Sequence, residues 1–177
     1  MKYIDANIKN VYEKNPKLQE LLQNLTIKED EKIKELKKGL FLYGIAGSGK
    51  TYSLYAIKNV LRKNSLDCGN VENWVELLYE VRERYSNNQG IKYFLENFLE
   101  KEYIFLDDIG AENQTNNSQE LLYLILDRVN RYEKKLFITT NLELADFSKK
   151  YGDRLTSRIA ELCETYEMKD QDLRLNK

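Results

Sequence analysis

The feature that most constrains this chain is Gly44-Ile45-Ala46-Gly47-Ser48-Gly49-Lys50-Thr51, which satisfies G-x-x-x-x-G-K-[ST] at every fixed position. A short apolar run, Gly39-Leu40-Phe41-Leu42-Tyr43, precedes it, and Tyr52 to Lys63 carries apolar residues at helical spacing. Strand, glycine turn and helix are the context that a phosphate-binding P-loop requires. Gly44, Gly47 and Gly49 let successive N–H groups converge on an anion, and the helix that follows adds its unpaired N–H groups and the positive end of its dipole. In this reading Gly44, Ala46, Gly47, Ser48, Gly49, Lys50, Thr51 and Tyr52 form the cofactor-binding segment for ATP. Lys50 reaches the β- and γ-phosphates, and Thr51 ligates Mg²⁺. The competing account is a glycine-rich turn with an incidental lysine, which would not demand every position of the pattern.

A second segment, Tyr103-Ile104-Phe105-Leu106-Asp107-Asp108-Ile109-Gly110, has the form of a buried parallel strand ending in two carboxylates. Beside a P-loop this is a Walker B arrangement: Asp107 is expected to hold Mg²⁺ and Asp108 to orient or deprotonate the attacking water. A third strand, Lys135 to Asn141, ends in a polar residue, and Asn141 either positions the lytic water or terminates the strand as a turn residue. The alternation of strands and helices predicts a parallel sheet flanked by helices. Arg154 and Arg158 lie four apart on an expected helix running to about Cys163. They either grip phosphate, in this subunit or a neighbour's, or form a solvated face.

Between these landmarks the periodicity predicts a short helix after Pro16 with Leu18, Leu21, Leu22 and Leu25 inward, and a charged helix from Lys28 to Lys38. Ser65 to Asn70 is a candidate second strand. A helix with Val71, Trp74, Val75, Leu78, Val81 and Tyr85 buried follows, then a shorter one with Ile91, Phe94, Leu95 and Phe98 inward. Asn117 with Glu120 marks the start of another helix, whose stripe is Leu121, Leu122, Ile125, Val129 and Tyr132. Glu164 to Met168 is the last candidate strand. Residues 1–38 thus read as a helical lead-in and 39–177 as the catalytic core, in a chain of 177 residues suited to one domain.

The absence of histidine excludes imidazole bases and His-ligated zinc, which leaves carboxylates, lysine, arginine and metal to do any chemistry. Cys68 and Cys163 fit no metal or redox spacing. A formal net charge of −1 carries no global signature of nucleic-acid binding, so any DNA surface must be local. The start of the chain has no signal-peptide pattern and no apolar run is long enough to span a membrane, so a cytoplasmic protein is expected.

Taken together, Gly39-Leu40-Phe41-Leu42-Tyr43-Gly44, Leu106-Asp107-Asp108-Ile109-Gly110, Asn130-Arg131-Tyr132, Ile138-Thr139-Thr140-Asn141-Leu142 and Arg154-Leu155-Thr156-Ser157-Arg158 resemble the DnaC/DnaI/IstB group of AAA+ ATPases. Lys2-Tyr3-Ile4-Asp5-Ala6 resembles that group's lead-in. The resemblance implies an AAA+ type P-loop NTPase with a five-stranded parallel sheet flanked by helices, in which the Asn141 strand lies between the P-loop and Walker B strands. The lid would be small or absent. It further implies that Asn141 is sensor 1, and that Arg158 is an arginine finger acting across a subunit boundary, with Arg154 beside it. Arg174 is a candidate sensor 2 residue.

The implied partners are other copies of the chain, a replicative helicase and single-stranded DNA; Arg82, Arg84, Tyr85, Lys92 and Tyr93 are the local candidates for DNA contact. Loaders of this group carry a separate amino-terminal region that grips the helicase. Here the motifs begin close to Met1, so such a contact would fall to residues 1–38 or to the outer surface. An IstB-like transposition helper is the near alternative, and a small P-loop phosphotransferase acting on a nucleoside or nucleotide is the alternative from another class.

Overall fold

The computed structural model describes residues 3–22, 38–87, 91–113 and 116–169, with backbone alone at 91–94 and 116. Five strands, β1 (Gly39–Tyr43), β2 (Cys68–Asn73), β3 (Tyr103–Ile109), β4 (Lys135–Thr140) and β5 (Cys163–Glu167), form one sheet in the order β2-β3-β4-β1-β5. Every neighbouring pair is parallel. The Asn141 strand, β4, therefore separates the P-loop strand from the Walker B strand, as the resemblance implied.

Strand alternation divides the core into two layers. Leu40, Leu42, Tyr103, Phe105 and Phe137 face one side, where they meet α1 (Ile8–Lys14), α2 (Pro16–Leu22) and α3 (Lys50–Lys63). Phe41, Ile104, Leu106, Leu136 and Ile138 face the other. There they meet α4 (Trp74–Ser86), α5 (Ile91–Phe98), α6 (Asn116–Arg131), α7 (Leu144–Tyr151) and α8 (Asp153–Leu162). The central strands are buried on both faces, which is why they read as unbroken apolar runs.

Several elements differ from expectation. Helix α1 sits in a stretch too polar to show a clear stripe; the Asn7 side chain accepts from Lys9 N–H to start it, and Val11 and Tyr12 are buried. Strand β2 begins at Cys68, three residues later than Ser65, and takes in Val71, a residue whose spacing predicts the next helix. As a half-buried edge strand, Cys-Gly-Asn-Val-Glu-Asn needs no apolar run. On α4 the buried residues are Trp74, Leu77 and Leu78, while Tyr85 is exposed. Tyr132 also lies in solvent, because α6 ends at Arg131. Strand β5 starts at Cys163, one residue earlier than expected. The charged run from Lys28, and Leu25, fall outside the described residues. Among those described, no helix follows β5.

Candidate nucleotide site

The P-loop leaves β1 at Gly44, whose φ is +128° and whose absent Cβ would lie 2.5 Å from the Met168 carbonyl oxygen. Only glycine fits there, because the backbone beyond β5 returns against this turn, with Met168 N–H donating to Tyr43 O at 2.8 Å. Gly49 caps α3 with φ +94°, so the helix opens directly at Lys50. The Lys50 ammonium is folded into the loop, donating to Gly44 O (2.8 Å), Ile45 O (2.6 Å) and Ser48 Oγ (3.3 Å). A buried ammonium surrounded by carbonyl and hydroxyl oxygens is a cation held where an anion can compete for it.

The Walker B carboxylates are brought beside it by a break in the sheet. Leu106 pairs with Ile138 and Ile109 with Thr140, so Asp107 and Asp108 together oppose the single residue Thr139. This is a β-bulge, and Asp108 within it adopts φ +61°. A left-handed non-glycine residue costs about 1–3 kcal/mol and persists only where its surroundings fix it. Here Thr139 does so: its Oγ1 accepts from Asp108 N–H at 2.8 Å and donates to Asp107 Oδ1 at 2.6 Å. Adjacent strand residues ordinarily point to opposite faces; the bulge re-aims one of the two. Asp107 Oδ1 thus accepts from Thr51 Oγ1 at 3.0 Å, and Asp108 Oδ1 from Asn141 Nδ2 at 2.7 Å.

Thr51, Asp107, Asp108 and Asn141 therefore converge, beside Lys50. Hydroxyl and carboxylate oxygens 3.0 Å apart are a hard donor pair of the kind Mg²⁺ takes when phosphates and water complete its shell. Among the described residues no cluster of three or more acidic or thiol groups could bind a metal unaided, so this pair would hold Mg²⁺ only together with a bound polyphosphate.

Tyr52, expected at the cofactor, is anchored by the lead-in. Its hydroxyl accepts from Asn7 N–H and Asn10 Nδ2, each at 3.0 Å, and its ring meets Tyr3 edge to face at 6.0 Å. Asn59 Nδ2 donates to Ile4 O (3.1 Å) and Ala6 O (2.9 Å), so two turns of α3 hold the segment from Tyr3 to Asn10.

The arginines stand apart from this array. Arg154 donates to the Tyr123 hydroxyl at 2.9 Å, with its guanidinium 4.7 Å from that ring's centre, so it is committed to α6. Half-buried Arg158 makes no hydrogen bond or ion pair among the described residues. Neither arginine makes a hydrogen bond or ion pair with Lys50, Asp107 or Asp108 of the same chain. Arg174 lies outside the described residues.

Two groups of residues escaped the sequence reading. Thr139 and Thr140 are buried and polar at the end of an apolar strand; Thr140 Oγ1 donates to Ile109 O at 2.6 Å, and paired threonines in that position were the available signal. The other group is Glu112, Lys150 and Tyr151, which surrounds the turn after Asp108 and carries no local motif. Burial, then the hydrogen-bonded Glu112 carboxylate, pushes the Tyr151 phenol well above its ordinary range. The cysteines are free thiols, and burial raises them to about 11 at Cys68 and about 12 at Cys163. At neutral pH both are inert structural groups.

Among the proposed DNA contacts, Arg84 is paired with Glu80 at 2.8 Å. The adjoining hollow of about 490 Å³ is lined by Glu76, Tyr79, Glu80, Glu83, Arg84 and Asn87, a surface with too much negative charge to attract phosphates. The side chains of Lys92 and Tyr93 lie outside the described set.

A P-loop at the end of β1, two carboxylates on the bulge of β3 and Asn141 at the end of β4 between them sit on the fold of an AAA+ P-loop NTPase. Residues 18–177 match the family described as IstB-like ATP binding protein, and the chain belongs to it. The crystal structure of the DnaC helicase loader superposes with a TM-score of 0.79 at 24% identity, covering 95% of this chain and 99% of that one. DnaI gives 0.75 at 23%, covering 94% and 92%. The replication initiator DnaA bound to AMPPCP and single-stranded DNA gives 0.77 at 20%, covering 94% of this chain and 50% of that one. At these identities the likeness is one of fold. In sequence, YdaV of Escherichia coli (strain K12) is 28% identical over 116 residues, 66% of this chain and 46% of that protein. DnaA of Campylobacter jejuni subsp. jejuni serotype O:6 (strain 81116 / NCTC 11828) is 25% identical over 141 residues, 76% of this chain and 30% of that protein. The chain thus spans less than half the length of these curated relatives. Among the described residues no helix is long and apolar enough to cross a membrane.

Proposed function

We propose that this chain is an ATP-hydrolysing AAA+ switch that works as an assembly of its own copies and acts on a replicative helicase or on single-stranded DNA. The observation that carries the reading is the single array in which Thr139 ties Asp107 and Asp108 together while Thr51 and Asn141 meet one carboxylate each. Lys50 exchanges its carbonyl partners for the β- and γ-phosphates of ATP, with the P-loop N–H groups around them. Thr51 and Asp107 would hold Mg²⁺, which when bound neutralises charge on the β- and γ-phosphates. Asp108 orients the attacking water and takes its proton, and Asn141 fixes that carboxylate and the water beside it.

Among the described residues, Lys50 is the one cation held in this array, and it lies on the P-loop side. Arg154 is spent on Tyr123, whereas Arg158 is available to a neighbouring copy's site, so the active form is an oligomer. The family match favours a second reading within the same class, an IstB-like transposition helper using the same ATP chemistry.

The test is the Mg²⁺-dependent ATPase rate per subunit across protein concentration, with and without single-stranded DNA, for wild type and Arg158→Ala. The specific rate is expected to rise with concentration, to respond to DNA, and to fall by about 10³-fold in the variant while ATP still binds. A rate flat in concentration and indifferent to Arg158 would overturn the trans finger and point to a phosphotransferase.

A further inference from the structure

We propose that Glu112 and Lys150 are positioning residues for hydrolysis, which clamp the turn behind Asp108 and so hold its carboxylate at Asn141. The inference rests on the role given above to Asp108. Asp108 sits in a left-handed conformation at the end of a bulge, and its side-chain direction is set by the backbone on both sides. Thr139 fixes the near side through Asp108 N–H. On the far side the chain turns at Gly110, φ +100°, where a Cβ would lie 2.6 Å from Leu142 Cδ1.

That turn is gripped at both of its polar groups. Gly110 N–H donates to Glu112 Oε2 at 3.0 Å, and Gly110 O accepts from Lys150 Nζ at 2.6 Å. Lys150 also donates to Glu112 O at 2.6 Å and lies 3.7 Å from Glu112 Oε1. The Tyr151 hydroxyl donates to Glu112 Oε1. The Glu112 side chain is only 5% exposed and that of Lys150 16%, so these are desolvated charges whose geometry is tightly fixed.

The position of the clamp matters as much as its strength. Lys150 and Tyr151 are the last residues of α7, which Gly152 alone separates from the helix that bears Arg154 and Arg158. Lys150 O in turn accepts from Gln119 Nε2 of α6 at 2.8 Å. The Asp108 turn is thus bolted to the arginine-bearing helix pair of its own subunit. A displacement of α8 by a neighbouring copy would act on the Asp108 turn through Gly152, the end of α7 and the Lys150–Gly110 hydrogen bond. A clamp of this kind acts on turnover, because nucleotide is gripped by the P-loop on the other side of Asp107.

The experiment measures kcat and, separately, the Kd of a non-hydrolysable ATP analogue for Glu112→Gln, Lys150→Gln and Lys150→Arg. Glu112→Gln and Lys150→Gln are expected to lower kcat about tenfold or more with Kd changed by less than about twofold, and Lys150→Arg to recover most of the loss. Leu18→Ala, in the opposite core layer, serves as a destabilised variant that leaves Glu112, Lys150 and the Asp108 turn untouched. If it loses kcat in parallel, or if Glu112→Gln and Lys150→Gln turn over at the wild-type rate, the clamp is overturned. Should either glutamine variant fail to fold, Lys150→Arg and Glu112→Asp carry the comparison, since a loss in kcat without a loss in Kd is still required of the shortened carboxylate. Asp108→Asn separates the two levels: if it hydrolyses ATP normally the role of Asp108 is wrong, whereas if it is inactive and the clamp variants are normal, only the clamp is wrong.

Discussion

At the scale of single residues, the site depends on a hydroxyl that no motif assigns. Thr139 is buried, accepts the Asp108 N–H and donates to Asp107, so one oxygen sets the directions of two carboxylates. Thr139→Val keeps the shape and removes both bonds. It takes the threonine oxygen away from the half-buried Asp108 N–H, which costs about 1–3 kcal/mol of stability, measurable by urea denaturation. Hydrolysis is expected to fall further than binding, by about 10–100-fold in kcat, because Asp108 loses the tie that holds its left-handed backbone. Thr139→Ser keeps the hydroxyl and is expected to stay near wild type; equal losses in the two variants would show that the methyl, not the hydrogen bonds, matters. The P-loop, Asp107, Asp108 and Asn141 were legible because each combines a fixed residue type with a fixed place after a strand. Thr139 was not, because its role exists only once a bulge sets two residues opposite one, and spacing within a strand does not announce a bulge. Glu112, Lys150 and Tyr151 were hidden for a different reason: they are brought together from the ends of separate elements.

At the scale of elements, the central strands and the long helices followed from periodicity, while the edges of the fold did not. Strands β1, β3 and β4 are buried on both faces and announce themselves as apolar runs, whereas the edge strand β2 is half-buried, and its Val71 falls three residues before Trp74 and so mimics a helical stripe. Strand β1 carries a constraint that its apolar pattern does not reveal. A Cβ on Gly39 would lie 1.9 Å from Leu136 O, so β1 and β4 approach too closely there for any side chain. Gly39→Ala must push apart the two strands that hold the P-loop and Asn141, at a cost of about 3 kcal/mol. Gly152→Ala is a useful contrast, because nothing lies within 4 Å of its Cβ position and only the backbone, φ +87° with ψ 156°, resists it, at about 1–3 kcal/mol. Thermal melts should therefore rank Gly39→Ala as the more damaging, and the reverse order would mean that β1 and β4 can separate without loss.

At the scale of the whole molecule, the sheet order β2-β3-β4-β1-β5 puts the two ATP-site strands around β4 and assigns the arginine-bearing α8 to the connection between β4 and β5. This order came from the family resemblance, since periodicity identifies strands and not their neighbours. It gives each subunit a site without a finger and a finger without a site, if Arg158 serves a neighbouring copy. Mixing two inactive variants tests that division directly. Arg158→Ala keeps an intact ATP site but offers no finger; Asp108→Asn offers the finger but cannot hydrolyse. In an equimolar random mixture half of the subunits have an intact site and half of those face an intact finger, so the mixture should recover about one quarter of the wild-type rate per subunit. The recovered rate should grow with total concentration, and the activity per Arg158→Ala subunit should approach the wild-type value as Asp108→Asn is added in excess. A mixture no more active than its components would mean that Arg158 acts within its own chain or not on ATP at all, because an arginine working in cis cannot be supplied by a partner.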